Sequence, residues 1–354
     1  MFELTRGNLL DADVETVVNT VNTEGIMGKG IALQFRKAYP ENYEVYRRAC
    51  KAGEVQPGRM FVFDRNTLTP PRYIINFPTK RHWRHKSRLE DIDAGLIALV
   101  AEVRRLGIRS IAVPPLGSGL GGLPWPEVRR RMQEAFEQVP EVRWLVYEPA
   151  GAPDPQSMRT RSRRPRMTKG RAAVLGLIKR YLVPGYGYPV SLLEIQKLVY
   201  FLTEAGEELN QVRFVKHHYG PYTDVLRHVL EKMDGHFISG YGDGQNKPDT
   251  PIRLLPGATE EAENFLRDHP DTRERFERVA QLIEGFETPF GMELMATVHW
   301  VATRERTTQD PDAAYLAVQA WNTRKADMMR REHVRAAWMR LRQLGWLNQQ
   351  TSPE

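Results

Sequence analysis

"VNTVNTEGIMGKGIALQFRKAYP", residues 18–40, joins an apolar strand-like run to two asparagines, a glycine-rich loop and an amphipathic helix. In a strand ending Asn19-Thr20-Val21-Asn22, successive side chains alternate between faces, so Val18, Thr20 and Asn22 point together. Asn22 then stands at the strand's carboxyl end. Gly25, Gly28 and Gly30 let backbone N–H groups approach a charged group closely, and a helix starting near Gly30 adds its positive end. That combination suits a pyrophosphate, although a tight strand-to-helix turn without ligand would use the same residues.

A second loop repeats the arrangement. "PPLGSGLGGLPW", residues 114–125, follows the apolar run Ser110–Val113 and precedes another helix, with Gly117, Gly119, Gly121 and Gly122 supplying an anion-accommodating backbone. Pro124 falls near the helix start, where proline is tolerated. Two such loops at two strand ends form a two-sided clamp. Neither has the P-loop spacing, nor the GxGxxG of a dinucleotide fold in its first βα unit, which disfavours nucleoside triphosphate hydrolysis.

Outward from these loops, the first 150 residues alternate. Strands are predicted at Val14–Val21, Gly58–Asp64, Tyr73–Phe77, Ser110–Val113 and Arg143–Glu148, with Phe2–Thr5 as an edge strand. Helices are predicted at Gly30–Ala38, Arg88–Leu106 and Trp125–Glu137. "SRLE" at 87–90 has capping-box form, placing Ser87 as cap with Glu90 reaching back, and Gly107 ends that helix. The expected architecture is α/β, a mixed sheet with helices on both faces and ligands at strand carboxyl ends. From residue 171 the apolar residues recur at i, i+3, i+4 spacing, so 171–348 is expected to be a mostly α-helical second domain.

Composition bounds the rest. The 354 residues suit two domains, and 41% hydrophobic with 27% charged residues is ordinary for a globular chain. The net charge of +7 is concentrated: residues 151–170 carry six Lys and Arg against one Asp, and read as a basic Pro/Arg-rich linker. No apolar run approaches the roughly 18 residues that span a bilayer. The N-terminus lacks the pattern of a signal peptide, so a cytoplasmic protein without membrane contact is expected. The single Cys50 leaves no intramolecular disulfide framework and makes a Cys-based zinc site improbable.

"GNLLDADVETVVNTVNTEGIMGKGIALQF" together with "PPLGSGLGGLPW" resembles a macrodomain, the fold that binds ADP-ribose. "GIMGKGIA" with "NFPTKRHWRHKSRLEDI" is similar to the DarG-type antitoxin branch, whose members remove ADP-ribose from thymidine bases of DNA and reverse a DarT-type toxin. The resemblance covers essentially residues 1–150. It implies that Asn22, with Thr20 and Val21 beside it, meets the distal ribose. It implies further that Gly25, Met27, Gly28, Lys29, Gly30 and Ile31 line that ribose and the phosphates, and that Leu116, Gly117, Ser118, Gly119, Leu120, Gly121 and Gly122 cover the pyrophosphate. Many macrodomains read adenine with an Asp where this chain has Asn8, an amide without the charge, leaving backbone groups near Leu9 as the alternative. Related glutamate-linked ADP-ribose hydrolases carry an Asp in the place of Gly121.

Lys80 follows Pro78 and Thr79 at the same carboxyl edge, and the resemblance implies that Thr79 lies among the ADP-ribose-binding residues. A lone lysine is usually a solvated charge, but this one matches the branch's catalytic lysine. It could attack the anomeric carbon, form an imine with the opened ribose, or stay protonated and assist the departing base. No cofactor or metal is required. "KRHWRHKSR" follows, and His82, Trp83 and Arg84 are DNA-side candidates, since cations interleaved with an aromatic suit phosphates and an unpaired base. His82 and His85 lack the partners of a metal site. A base modified at N3 cannot pair, so ADP-ribosylated single-stranded DNA is the expected substrate.

In the second half, "SLLEIQKLVYFL" and "FVKHHYGPYTDVL" resemble, more weakly, the Panacea-type antitoxin domain. That implies a helical toxin-binding unit without catalysis. Tyr219-Gly220-Pro221 is also a good turn, and Leu193, Leu198 and Phe201 are expected in a core. Two rival functions remain open from the residues: an ADP-ribose reader without turnover, which would not need Lys80, and an antitoxin acting purely by protein contact.

Overall fold

The apolar run at the opening becomes an inner strand of a six-stranded mixed sheet in the computed structural model, which describes residues 1–151, 153–154, 158–182, 189–244, 247–305 and 310–347. In chain order the first elements are β1 (Phe2–Thr5), β2 (Thr16–Asn22), α1 (Gly30–Ala38), α2 (Pro40–Lys51), β3 (Phe61–Asp64) and β4 (Tyr73–Lys80). They continue with α3 (Leu89–Leu106), β5 (Ser110–Val113), α4 (Trp125–Phe136) and β6 (Arg143–Tyr147). The strand order is β1-β6-β5-β2-β4-β3, parallel except for the β3–β4 pair. The predicted edge strand at the N-terminus does lie at an edge, paired only with β6. Two apolar clusters flank the sheet, one around Phe77, Leu99 and Trp144 and one around Leu10, Phe35 and Tyr39, as a sheet covered on both faces requires.

Three local features differ from expectation. Strand β4 runs through Pro78 to Lys80 rather than stopping at Phe77. Proline lacks a ladder donor, and here it sits where the β2–β4 register slips: Val21 lies opposite Pro78, but Asn22 lies opposite Lys80. Helix α2 was not expected, because its buried face carries Asn42 beside Tyr46 and Ala49 and so breaks the apolar periodicity. The capping box does not form. Helix α3 starts after Arg88, which makes no side-chain cap, while Ser87 turns toward the second glycine loop and its N–H donates to the Gly121 carbonyl at 3.0 Å. Gly107 does end α3, in a left-handed conformation at φ 64°.

The described residues fall into two compact units, the first built on Met1–Arg163 with a short segment that starts at Gly242, the second on most of the chain from Arg164 onward. Within the first, Arg159 pairs with Asp11 at 2.9 Å and the Arg161 N–H donates to the Lys37 carbonyl at 2.8 Å, so part of the basic stretch is held against the sheet unit. The second unit is mostly helical, with α5 (Lys169–Tyr181), α6 (Leu192–Glu204), α7 (Val225–Met233), α8 (Ala258–Arg267) and α9 (Pro270–Ile283). It continues with α10 (Pro289–Arg304), α11 (Pro311–Gln319), α12 (Thr323–Met328) and α13 (Arg331–Gln343). It also holds two small antiparallel pairs: β7 (Val215–His217) with β8 (Gly220–Tyr222), and β9 (Ile238–Ser239) with β10 (Arg253–Leu254). The predicted Tyr219-Gly220-Pro221 turn is therefore displaced: His218-Tyr219 form the tip and Gly220-Pro221 begin β8. Leu198 and Phe201 are fully buried, whereas Leu193 is only half-buried. Among the described residues no helix is long and apolar enough to cross a membrane.

Helix α3 approaches β4 so closely that a Cβ at Gly95 would lie 2.1 Å from Cζ of Phe77. Gly95→Ala is expected to destabilise the sheet unit by about 1–3 kcal/mol through overpacking. Urea unfolding measures it, and an unchanged midpoint would show that the ring yields freely.

Candidate functional site

The carboxyl ends of β2, β4 and β5 lie together and feed the two glycine loops and the basic turn. Residues directly opposite in neighbouring strands project to the same face, so the one-residue slip puts the Asn22 and Lys80 side chains on one side of the sheet. Had the register continued unchanged, Asn22 would face Thr79 and Lys80 would point away.

The first loop is organised by Asn22. Its Oδ1 accepts from the N–H groups of Glu24 (2.9 Å) and Ile26 (3.3 Å), and its Nδ2 donates to the Ile26 carbonyl at 2.6 Å. The Tyr46 hydroxyl donates to the Asn22 carbonyl from α2. An amide carries two N–H donors, and the loop uses one of them. Gly25 is required to be glycine by its φ of +76°. Met27 is wholly buried against Val21, Tyr46 and Ala49, so its side chain anchors the loop and only its backbone can face a ligand. Gly28 and Ile31 are half-buried and Lys29 is exposed, while the Gly30 N–H donates to the Asp243 carbonyl at 2.7 Å.

The second loop is built against Ser87. A Cβ at Gly121 would meet the Gly117 carbonyl oxygen at 2.2 Å and Ser87 Oγ at 2.3 Å, so no side chain fits there. This explains why Gly121 stands where related hydrolases carry an acid. Gly117 takes φ +66°, and a Cβ at Gly119 would meet nothing within 4 Å. Leu116 is fully buried, whereas Gly119, Leu120 and Gly122 are exposed and Ser118 is half-buried. Ser87 Oγ and Ser118 Oγ are buried hydroxyls without a hydrogen-bond partner among the described residues. Lys80 joins the strand end to this loop: its Nζ donates to the Leu120 carbonyl at 2.6 Å. Burial pulls the Lys80 ammonium below the usual lysine value, and among the described residues no carboxylate pairs with it to restore the charge.

Asn8 is already committed. It caps the short 3-10 turn Leu9–Asp11, accepting from the Leu10 N–H at 3.1 Å, and its Nδ2 donates to Asp11 at 2.9 Å. Beside it lies a cavity of about 160 Å³ lined by Asn8, Leu9, Gly30, Ile31, Gly119 and Tyr147 among others. Leu9 is buried and Thr20 half-buried, and Thr79 Oγ1 donates to the Val21 carbonyl at 3.5 Å.

After Lys80 the chain makes a surface turn in which His82, Trp83, Arg84 and His85 stack. The His82 ring lies 5.8 Å from Trp83 and 4.7 Å from His85, and the Arg84 guanidinium sits over Trp83 at 4.5 Å. Trp83 is 42% exposed, with the Arg84 guanidinium over its ring and the His82 ring stacked beside it. No group of His, Cys, Asp and Glu able to hold a metal occurs among the described residues. The arrangement therefore combines a backbone-lined cleft, a half-buried amine at its end, and a cationic-aromatic turn next to that amine.

The Macro domain family matches residues 18–132. The DNA ADP-ribosyl glycohydrolase of Thermus aquaticus is 51% identical over 326 residues, covering 92% of this chain and 89% of that protein. The DNA ADP-ribosyl glycohydrolase of Mycobacterium tuberculosis is 45% identical over 331 residues, covering 90% of this chain and 93% of that protein. A DNA ADP-ribosyl transferase–DNA ADP-ribosyl glycohydrolase fusion protein of Thermosipho africanus is 35% identical over 161 residues, covering 41% of each chain.

Because space is open around Gly119, Gly119→Glu is expected to fold normally while its carboxylate repels a diphosphate. ADP-ribose affinity should fall about a hundredfold or more, roughly 2.7 kcal/mol. Calorimetry with unchanged melting checks this, and unaltered affinity would remove the loop from the site.

Proposed function

This chain belongs to the DNA ADP-ribosyl glycohydrolases, and from that membership we propose that it removes ADP-ribose from thymidine bases of DNA. It thereby acts as the antitoxin to a DarT-type ADP-ribosyltransferase toxin. The Thermosipho relative, which carries transferase and glycohydrolase in one polypeptide, supports that pairing. Lys80 carries the reading: a pure ADP-ribose reader has no use for a half-buried amine, its pKa lowered by burial, on the same face as Asn22.

The two glycine loops hold the diphosphate through backbone N–H groups, leaving the ribose C1″ near Lys80 and the base toward Trp83. After the Lys80 ammonium gives up its proton to solvent, the amine attacks C1″, the bond to thymine N3 breaks, and the electron pair stays on N3, where the flanking carbonyls spread the charge until a proton arrives. Loss of a proton from the lysine-bound sugar with ring opening gives an imine, which water hydrolyses to free ADP-ribose and the original amine. A base linked through N3 is already unpaired, so single-stranded DNA presents it at little cost. The helical unit binds the toxin, giving a second route to neutralisation.

Incubation with thymidine-ADP-ribosylated single-stranded DNA should release free ADP-ribose. Lys80→Ala should lower turnover by about a hundredfold or more, while ADP-ribose affinity stays within about tenfold, roughly 1.4 kcal/mol. Equal losses in both would make the lysine structural. Since burial lowers the Lys80 value, turnover should rise with pH and level off below the ordinary lysine range, and borohydride should trap a Lys80 adduct. A rate that falls across that range would instead make Lys80 a cationic acid.

The same Lys80→Ala full chain should still co-elute with a DarT-type toxin on a sizing column. Separate peaks for the folded variant and the toxin would leave the helical unit without its proposed partner.

A further inference from the structure

The reach of Lys80 depends on one slipped residue, and the groups around that slip are not part of the clamp. On its N-terminal side, Pro78 has no N–H to offer β2, and the buried Thr79 lies between the two registers. On its C-terminal side the chain is gripped twice at Arg81. The Thr23 hydroxyl, one residue past Asn22, donates to the Arg81 carbonyl. The Arg81 guanidinium makes a forked pair with Asp91 on α3, Nη2 to Oδ1 at 2.9 Å and Nε to Oδ2 at 3.2 Å. The Asp91 side chain is 6% exposed, and that of Arg81 is 58% exposed, so the pair is anchored from the protein side. Forked charge-assisted pairs fix orientation as well as distance.

We propose that Thr23 and the Arg81–Asp91 pair are positioning residues that lock the strand slip and so hold Lys80 opposite Asn22. The proposal rests on the reading of Lys80 as the group that acts on the ribose. Thr23 ties the end of β2 to the end of β4 beyond the slip, and Asp91 ties the same residue to α3. A return to unslipped pairing would move the Lys80 side chain to the other face, so loosening either tie lowers the fraction of molecules in which the amine is aimed. Such a change leaves the Asn22 side chain's hydrogen bonds to the first loop in place and costs the second loop one contact, that of Lys80 with the Leu120 carbonyl.

The test uses the full chain with thymidine-ADP-ribosylated single-stranded DNA. Thr23→Val keeps the shape and removes the donor, Thr23→Ser restores it, and Asp91→Asn weakens the fork. Thr23→Val and Asp91→Asn should each lower kcat about tenfold, with KM and ADP-ribose affinity within about threefold and Thr23→Ser close to the unsubstituted chain. Should Asp91→Asn fail to fold, the near-isosteric Thr23→Val with its Thr23→Ser control decides alone. Undiminished kcat in folded variants overturns the positioning role, as does a parallel fall in kcat, ADP-ribose affinity and melting temperature. Absence of turnover by the unsubstituted chain overturns the functional reading, and the positioning role with it.

Discussion

A hydrogen bond between two buried asparagines sets the register on which the site depends. Asn19 on β2 and Asn76 on β4 are directly opposite in the sheet, and Asn19 Nδ2 donates to Asn76 Oδ1 at 3.0 Å. Asn76 in turn donates to Asn42 Oδ1 on α2 at 2.8 Å and receives a bond back at 3.3 Å. All three residues are fully buried. Asn19 Oδ1 has no partner among the described residues, and such an orphaned acceptor costs about 1–3 kcal/mol. An apolar pair would avoid that cost but would also tolerate slippage. Polar pairing in a low-dielectric core admits one alignment, and the single slip permitted after it places Lys80 over Asn22.

From that alignment the two loops follow by different means. The first is shaped by side chains: Asn22 holds Glu24 and Ile26, Met27 plugs the core, and Tyr46 secures the strand end. The second is shaped by the lack of them, since Gly121 and Gly117 close on each other and on Ser87 with no room for a Cβ at Gly121. Lys80 joins the end of β4 to the second loop through the Leu120 carbonyl. The amine is thus held at the edge of a backbone-lined cleft by an acceptor that offers no full charge, so burial lowers its proton affinity unopposed by a carboxylate.

Much of this was legible in the sequence where periodicity and glycine speak directly. The positions of the strands, the edge place of Phe2–Thr5, the glycine stop at Gly107 and the two loops at strand ends all follow from pattern. What was not legible has a common cause, tertiary contact overriding a local signal. Asn42 on a buried helix face disguised α2 as a polar segment. Pro78 looked like a strand terminator but stands within β4 at a register slip. Ser87 had the spacing of a helix cap but is enlisted by the glycine loop. Asn22 was legible as a strand-end amide, yet its hold on the following loop depends on a backbone path that spacing alone does not define.

The second unit shows the same override in its motif. The lysine of "KLVY" and the proline of "YGPY" meet: Lys197 Nζ, buried at 2% exposure, donates to the Pro221 carbonyl at 2.8 Å. Gln196 brackets the same hairpin, with Nε2 donating to the Thr223 carbonyl and Oε1 accepting its N–H. Tyr200 reaches inward to His299 at 2.7 Å, and burial holds that imidazole neutral by lowering its value to about 3. A Cβ at Gly220 would crowd Thr297 Oγ1 at 3.1 Å, so glycine is needed there for packing as well as for its φ of +96°. These residues therefore build the fold and do not face a partner. The hairpin they secure turns Lys216, His217 and His218 outward, with Trp321 and Asn322 donating to the carbonyls of His217 and His218. Of these, Lys216 is itself engaged, paired with Glu305 at 2.8 Å and lying over the Trp321 ring, so the motif fixes the hairpin's backbone and the neighbouring helices fix its flank.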